Sequence, residues 1–127
     1  MAINVLIVDD SAVMRSMLAR TLRLSAIPLT NVHQAADGEQ ALIQLATHPI
    51  DVALVDLNMP VMNGEELIRH MRADVRLAHV AVIVVSTEGS ETRIEALRAL
   101  GTSFLHKPFT AAQIRSIMLK TLGVADA

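Results

Sequence analysis

The chain has 127 residues, a formal net charge of -2 at pH 7 and no cysteine. Hydrophobic residues make up 52% of it and aromatic residues only 2%, so aliphatic side chains and methionine must fill the core of what is, by its length, one domain. This composition excludes disulfides and cysteine-ligated metals, and the absence of a basic run argues against nucleic-acid binding. Because no apolar run approaches a membrane span and no signal-peptide pattern precedes the first strand, we predict a cytoplasmic protein without membrane insertion.

Short aliphatic runs predict five β-strands. Three runs are continuously apolar and rich in Val and Ile, which is typical of strands covered on both faces of a sheet: Val5–Val8, Val52–Val55 and Val80–Val85. Two more polar runs, Thr30–Ala35 and Ser103–His106, fit edge strands.

Each segment between or after these runs has apolar residues at helical spacing. The predicted faces comprise Met14, Met17, Leu18 and Leu22, then Ala41, Leu42, Leu45 and Ala46, then Leu67, Ile68 and Met71, then Ile94, Leu97 and Leu100, and finally Ile114, Ile117, Met118 and Leu122. Capping residues support these helices. Capping boxes are predicted at Asp37 with Gln40 and at Thr110 with Gln113, N-caps at Asn63 and Ser90, and helix ends at Gly101 and Gly123.

The regular alternation of strands and helices predicts an α/β fold with a parallel sheet, right-handed crossovers and helices on both faces. Three apolar central strands and two polar edge strands suit the order 2-1-3-4-5. In such a sheet, ligands bind beyond the carboxyl ends of the strands, where the first and third strands are neighbours.

Acidic residues stand at that point of the predicted sheet. Asp9 and Asp10 follow the first strand and Asp56 follows the third, so we expect three carboxylates to share one crevice. All three would be charged at neutral pH, and two such charges about 4 Å apart repel by about 4 kcal/mol at an effective dielectric constant of 20. A cation must offset this repulsion, and Mg²⁺ suits carboxylate oxygens while keeping positions for phosphate oxygens.

Complementary groups follow the other two strands. Ser86–Thr87 offers hydroxyls after the fourth strand, and Lys107–Pro108 offers an ammonium after the fifth. Singly, these features are more often a turn and a surface loop, as the acidic pair is more often a helix cap. Together they predict a phosphoryl-transfer site, in which Asp56 is the nucleophile and forms an acyl phosphate while Lys107, the metal and a hydroxyl stabilise the transferred oxygens.

Four stretches carry a resemblance to a known family: "VLIVDDSAVMR" (5–15), "DVALVDLNMPVMNG" (51–64), "VVSTEGS" (84–90) and "HKPFT" (106–110). As an ordered set they resemble the receiver domains of two-component response regulators, and most closely the stand-alone CheY-like receivers of chemotaxis. The resemblance covers residues 3–122. It implies a single receiver domain over residues 1–127 without an output domain, and a flavodoxin-like (βα)5 fold, whose strand order is the one known from flavodoxin and CheY.

The resemblance also implies roles at the phosphoryl site. Asp56 would be the phosphoacceptor, and Mg²⁺ would be held by Asp9, Asp10 and Asp56 together with the backbone carbonyl of Asn58, with Asp10 a more direct ligand than Asp9. Lys107 would pair with the phosphate, and its peptide bond to Pro108 would be cis.

A second group of residues would transmit or time the signal. Ser86 would be the switch hydroxyl, with Thr87 as the alternative, and Phe104 would be the switch aromatic in a chain without tyrosine. Glu88 and Asn58 would set the dephosphorylation rate. The segment 101–107 is one residue shorter than is common in the family.

The function implied is that of a signalling switch, which catalyses only its own phosphorylation and dephosphorylation. A CheA-like histidine kinase or a small phosphodonor would phosphorylate Asp56. The face formed by the fourth helix, fifth strand and fifth helix would then control a flagellar switch component or another effector, in chemotaxis or another pathway. A phosphatase is a further possible partner, and the protein is predicted to be a monomer.

Four alternatives stay open at this point. The chain could be a phosphorelay intermediate or a phosphate sink without direct output. It could instead be an aspartyl-phosphate hydrolase of the haloacid-dehalogenase type or a flavodoxin-like cofactor binder. Arginines of the first helix, Arg15, Arg20 and Arg23, are interpreted as a solvated face, with kinase docking as the alternative.

Overall fold

The computed structural model describes residues 2–124, which form five strands and five helices in strict alternation. The strands are β1 (Ile3–Val8), β2 (Leu29–Ala35), β3 (Val52–Val55), β4 (Ala81–Ser86) and β5 (Thr102–His106). The helices are α1 (Ala12–Leu24), α2 (Gly38–Thr47), α3 (Gly64–Ala73), α4 (Glu91–Arg98) and α5 (Ala111–Thr121). The predicted α/β fold class is confirmed.

All strand pairs are parallel, and the sheet order is β2-β1-β3-β4-β5, as predicted. The register matters for function. Val8 is opposite Val55, and Val55 is opposite Val84, so the three central strands end nearly level with one another. One further ladder bond, from Asp56 N to the Val8 carbonyl oxygen at 2.9 Å, continues the pairing past β3. The residues that follow β1 and β3 are therefore neighbours.

Two apolar layers cover the sheet. On one face, the odd-numbered residues of β1 pack with α1 and α5; on the other, Leu6 and Val8 pack with α2, α3 and α4. The central strands are apolar on both sides because both sides are covered, which explains their continuous rather than alternating pattern. This burial makes the strands a rigid support for whatever stands at their ends.

Helices α2 to α5 begin at the predicted caps, with one difference. Thr110 and Gln113 form a capping box, and so do Asn63 and Glu66. At α2 the box is only half formed: Asp37 accepts from Gln40 N at 2.8 Å, but the Gln40 side chain accepts from Ala36 N rather than from Asp37 N. Gly123 directly follows the C-cap of α5, whereas Gly101 lies two residues beyond the C-cap of α4, Ala99. Both glycines are in the left-handed conformation that glycine adopts most easily, with φ values of 69° and 77°.

Two predicted core residues lie outside the core. Met17 is 46% exposed, and Ala46 is exposed as well. The buried residues of α1 are Leu18, Ala19 and Leu22. Met17 therefore lies at the border between the buried and the exposed side of the helix. The spacing of apolar residues therefore predicted the helices correctly, but the buried face of α1 is centred about one residue away from the predicted face.

Arg72 of α3 connects two loops at the end of the sheet opposite the strand carboxyl ends. Its Nε donates to the Leu100 carbonyl at 2.7 Å, and its Nη2 donates to the Gly101 carbonyl at 3.2 Å. Its Nη1 donates to the carbonyls of Val80 at 2.8 Å and Ala78 at 3.1 Å. Partial burial lowers the pKa of this guanidinium. One side chain thus holds the α3–β4 loop against the end of α4.

Within residues 2–124, no helix has both the length and the apolar character that crossing a membrane requires.

Candidate functional site

Three carboxylates converge at the carboxyl ends of β1 and β3. One oxygen from each of Asp9, Asp10 and Asp56 lies within 4.8 Å of the others. Asp9 is 2% exposed and Asp56 is 9% exposed, whereas Asp10 is open to solvent. The structure therefore brings together the three acidic residues that strand ends predicted, with two of them inside the protein.

The buried carboxylate of Asp9 is fixed from two sides. Its Oδ1 accepts a hydrogen bond from Ser11 N at 2.9 Å, and its Oδ2 lies 3.4 Å from the Lys107 ammonium. Arg15 Nη1 donates to the Asp9 backbone carbonyl at 2.7 Å. Arg15, interpreted from the sequence as part of a solvated face, thus contacts the site's backbone. Ser11 is the N-cap of α1, which leaves Asp10 out of the cap.

Lys107 is the cation of the cluster. Its Nζ lies 3.4 Å from Asp9 Oδ2 and 3.6 Å from Asp56 Oδ1. Lys107 N donates to the Ser86 carbonyl at 3.0 Å, which continues the β4–β5 pairing to this residue. The Lys107–Pro108 peptide bond is cis, as expected. The side chain is 18% exposed, so the ammonium faces the carboxylates in a partly desolvated crevice.

The pKa of Asp56 is raised above its ordinary value. Burial is the largest cause, Lys107 lowers the pKa, and the charges of Asp9 and Asp10 raise it again. Three carboxylates face the Lys107 ammonium in this cluster, and the charge of Lys107 by itself does not balance them. The site therefore has a residual negative charge suited to an added cation, and its donors are the carboxylate oxygens that Mg²⁺ binds.

Ser86 is the buried hydroxyl at the end of β4. It is 1% exposed, whereas Thr87 is exposed. Its Oγ accepts a hydrogen bond from Glu88 N at 3.1 Å. That bond occupies a lone pair and leaves the hydroxyl proton available for donation. Of the two hydroxyls considered from the sequence, Ser86 is the one enclosed by the fold.

The loop after β3 passes close to α3. Asn58 is exposed, directly after Leu57, which is fully buried. Gly64 N donates to the Leu57 carbonyl at 3.0 Å, and a Cβ added at Gly64 would overlap the Asp56 carbonyl oxygen. In the sequence, Gly64 is marked only as the last residue of the stretch 51–64. Its neighbourhood explains the requirement, because a side chain here would push α3 away from Asp56.

Phe104 lies apart from the acidic cluster. It is half-buried on β5 and packs against the core layer that contains α4. Its ring also contacts His106, with ring centroids 4.6 Å apart. The structure thus places the predicted switch aromatic on the strand that leads to Lys107, and next to the fourth helix.

Comparison with known proteins bears on what such a site does. The sequence profile described as "Response regulator receiver domain" matches residues 5–119. The chain belongs to this family. The receiver domain is 39% identical to the chemotaxis protein CheY of Pseudomonas aeruginosa over 113 residues, which cover 88% of this chain and 90% of that protein.

Two further relatives agree with this assignment. Chemotaxis protein CheY1 of Helicobacter pylori strain J99 is 35% identical over 97% of this receiver and 99% of its own length. The solved structure of Vibrio cholerae CheY4 matches with a TM-score of 0.84 and 30% identity, covering 95% of this receiver and 99% of that chain. Receiver domains of the CheY-like kind are phosphoryl-accepting signalling switches that take phosphate from a histidine kinase and act on a downstream target. Membership of this family argues against placing the chain in the haloacid-dehalogenase or flavodoxin families.

Proposed function

We propose that this receiver accepts a phosphoryl group on Asp56 in the presence of Mg²⁺ and thereby controls a partner protein in chemotaxis or motility signalling. The observation that carries the proposal is the meeting of Asp9, Asp10 and Asp56 within 4.8 Å of one another, with the Lys107 ammonium 3.6 Å from Asp56. A phosphoacceptor needs a nucleophilic carboxylate with charge stabilisation beside it, and this cluster supplies both.

In the proposed reaction, a carboxylate oxygen of Asp56 attacks phosphorus, and the bond between phosphorus and the donor's nitrogen or oxygen breaks. The leaving group departs with the bonding electrons, and an acyl phosphate forms on Asp56. Lys107 offsets charge on the transferred oxygens, and the Ser86 hydroxyl donates to one of them. Catalysis consists mainly of positioning and charge stabilisation by these groups.

The residues present fit a magnesium ion. Asp9, Asp10 and Asp56 would hold it together with the backbone carbonyl of Asn58, and all of these ligands are oxygen atoms. When bound, Mg²⁺ would neutralise charge on both the acids and the phosphoryl oxygens. The raised pKa of Asp56 is compatible with this assignment: burial is its largest cause, and the charges of Asp9 and Asp10, which a cation would offset, raise it further.

Signal output would use the α4–β5–α5 face. Ser86 ends β4 and precedes α4, and Phe104 packs against the core layer that contains α4. Movement of Ser86 towards the phosphoryl group would therefore alter the β4–α4 connection, and Phe104 would turn inward. The result is a shift between two pre-existing conformations of this face. The donor would be a CheA-like kinase, and the target a flagellar switch component or another effector.

A test that addresses metal and output together uses fluoroberyllate, a stable analogue of the phosphoryl group. Adding Mg²⁺ and fluoroberyllate to the isotope-labelled protein should shift backbone amide resonances around Asp56 and also along α4, β5 and α5. Asp56→Asn is the matched control and should show neither response. Shifts confined to the crevice would contradict the proposed output face, and binding without Mg²⁺ would contradict the proposed metal.

A further inference from the structure

An ion pair stands at the start of α4, beside the crevice. Glu88 Oε1 lies 3.0 Å from Arg93 Nη1. The other carboxylate oxygen, Oε2, accepts from Gly89 N at 3.1 Å and from Ser90 N at 3.4 Å. Three donors therefore hold this carboxylate, all of them in the β4–α4 turn or the first turn of α4. The bond from Ser90 N is the main cause of the lowered pKa of Glu88, and Arg93 contributes.

The backbone of Glu88 lies at the rim of the phosphoryl site, whereas its carboxylate points to α4. Its N–H donates to the buried Ser86 Oγ at 3.1 Å, so its backbone is one hydrogen bond from the hydroxyl at the end of β4. The side chain therefore branches from a backbone position two residues after Ser86. In the structure Arg93 and the turn amides hold it along α4.

Arg93 stands at an unusual position for a basic residue. Ser90 is the N-cap, so Arg93 is the third residue of α4. A positive charge in the first turn of a helix is unfavourable, because the helix dipole places partial positive charge there. The negative charge of the Glu88 carboxylate offsets both the charge of Arg93 and the partial positive charge at the start of α4. The placement is explained if the task of Arg93 is to bind Glu88.

We propose that Arg93 is a positioning residue that holds the Glu88 carboxylate on the first turn of α4 and so keeps a fourth acidic side chain out of the crevice. The inference rests on the proposed phosphorylation of Asp56. Asp9, Asp10 and Asp56 already face the crevice, and phosphodonors are anions. A further negative charge at the rim would repel the incoming donor, which slows phosphorylation.

The experiment measures the rate of Asp56 phosphorylation by acetyl phosphate at saturating Mg²⁺ by intact mass, for wild type, Arg93→Ala, Glu88→Ala and the double variant. Arg93→Ala should be slower by about fivefold at low ionic strength, the order expected for one added charge at contact distance in water. The slowing should shrink at about 1 M salt, where the Debye length is about 3 Å. Arg93→Lys should recover most of the rate.

Glu88→Ala decides whether Arg93 acts through Glu88. In that background, Arg93→Ala should cause no further slowing, because the carboxylate to be held is gone. Arg98→Ala is the matched control, since Arg98 pairs with Glu95 at 2.8 Å on the same helix without a link to Ser86, and it should phosphorylate at the wild-type rate. A merely structural role would lower the free energy of unfolding and would leave the salt dependence unchanged.

Two results would overturn the inference alone: a wild-type rate for Arg93→Ala, or a slowing that persists when Glu88 is alanine. In either case wild type would still be phosphorylated, so the proposed function would stand. A wild-type protein that gains no phosphoryl group under any condition would overturn both.

Discussion

The ammonium of Lys107 lies 3.6 Å from an oxygen of the Asp56 carboxylate, although the two residues come from strands that are not neighbours in the sheet. Lys107 follows β5 and Asp56 follows β3, with β4 between them. The lysine side chain spans this gap and also approaches Asp9 at 3.4 Å. The Lys107 ammonium is thus shared between two buried acids, and the charge balance in the crevice depends on it.

Replacing Lys107 should separate metal binding from phosphoryl transfer. Lys107→Met removes the positive charge that competes with Mg²⁺, so Mg²⁺ should bind several-fold more tightly by calorimetric titration. The same change removes the group that we propose stabilises the transferred oxygens, so phosphorylation should slow by about 100-fold. Lys120→Met, at an exposed lysine of α5, is the control and should change neither quantity. Weaker Mg²⁺ binding by Lys107→Met would contradict this account.

The raised pKa of Asp56 predicts a pH-dependent cost in stability. Between the ordinary value of about 3.9 and the raised pKa, the folded protein binds more protons than the unfolded chain. The free energy of unfolding therefore falls as pH rises through this window, and the cost is fully present above it. Without Mg²⁺ at pH 7, Asp56→Asn should be more stable than wild type by about 1 kcal/mol, because it removes a charge that is disfavoured first by burial and then by Asp9 and Asp10.

Urea unfolding in EDTA between pH 4 and pH 8 checks this prediction. The difference between Asp56→Asn and wild type should shrink as pH is lowered towards the ordinary pKa of aspartate. Adding Mg²⁺ at ten times its dissociation constant should stabilise wild type by about 1.4 kcal/mol. Glu39→Gln, which removes an exposed carboxylate, should give no such gain. An Asp56→Asn protein less stable than wild type at pH 7 would refute the electrostatic account.

Gly64 should be intolerant of even one methyl group. In Gly64→Ala the new Cβ would overlap the Asp56 carbonyl oxygen, and relief requires movement of α3 or of the Asp56 backbone. We expect a loss of about 1–3 kcal/mol in the free energy of unfolding, with slower phosphorylation. Gly89→Ala is the matched control, because within residues 2–124 no atom other than those of its two chain neighbours lies within 4 Å of the added Cβ. Equal stability of the two variants would show that the close approach has no consequence.

Arg72→Lys should weaken the hydrogen bonding that holds the α3–β4 loop against the end of α4. A lysine ammonium cannot reproduce the four carbonyl contacts that the planar guanidinium makes. The expected cost is about 1–2 kcal/mol in urea unfolding, from carbonyls left without their donor. Arg76→Lys replaces an exposed arginine nearby and should be close to neutral. A neutral Arg72→Lys would mean that solvent replaces these bonds without penalty.

The fold was predictable because continuous apolar runs mark covered strands and helical spacing marks the crossovers. The convergence of Asp9, Asp10 and Asp56 was predictable for a related reason, since parallel strands end at one edge of the sheet. Sequence alone could not tell which residue of the acidic pair is buried. A strand that is apolar on both faces lacks the alternation that would show where its next side chain points.

Contacts between distant segments were not predictable from local patterns. The approach of Gly64 to Asp56, the bond from Arg15 to the Asp9 carbonyl and the loop contacts of Arg72 depend on how helices pack on the finished sheet. The pair of Glu88 and Arg93 lies five residues apart, but it crosses a turn whose conformation the sequence did not specify. The roles of the site residues and the absence of an output domain stay predictions.

Phosphorylation of Asp56 itself is the most direct test. The protein is incubated with acetyl phosphate, with and without Mg²⁺, and its intact mass is measured beside that of Asp56→Asn. We predict the gain of one phosphoryl group that requires Mg²⁺ and is absent from the variant. An unchanged wild-type mass, or an equal gain by Asp56→Asn, would contradict the assignment of Asp56 as the phosphoacceptor.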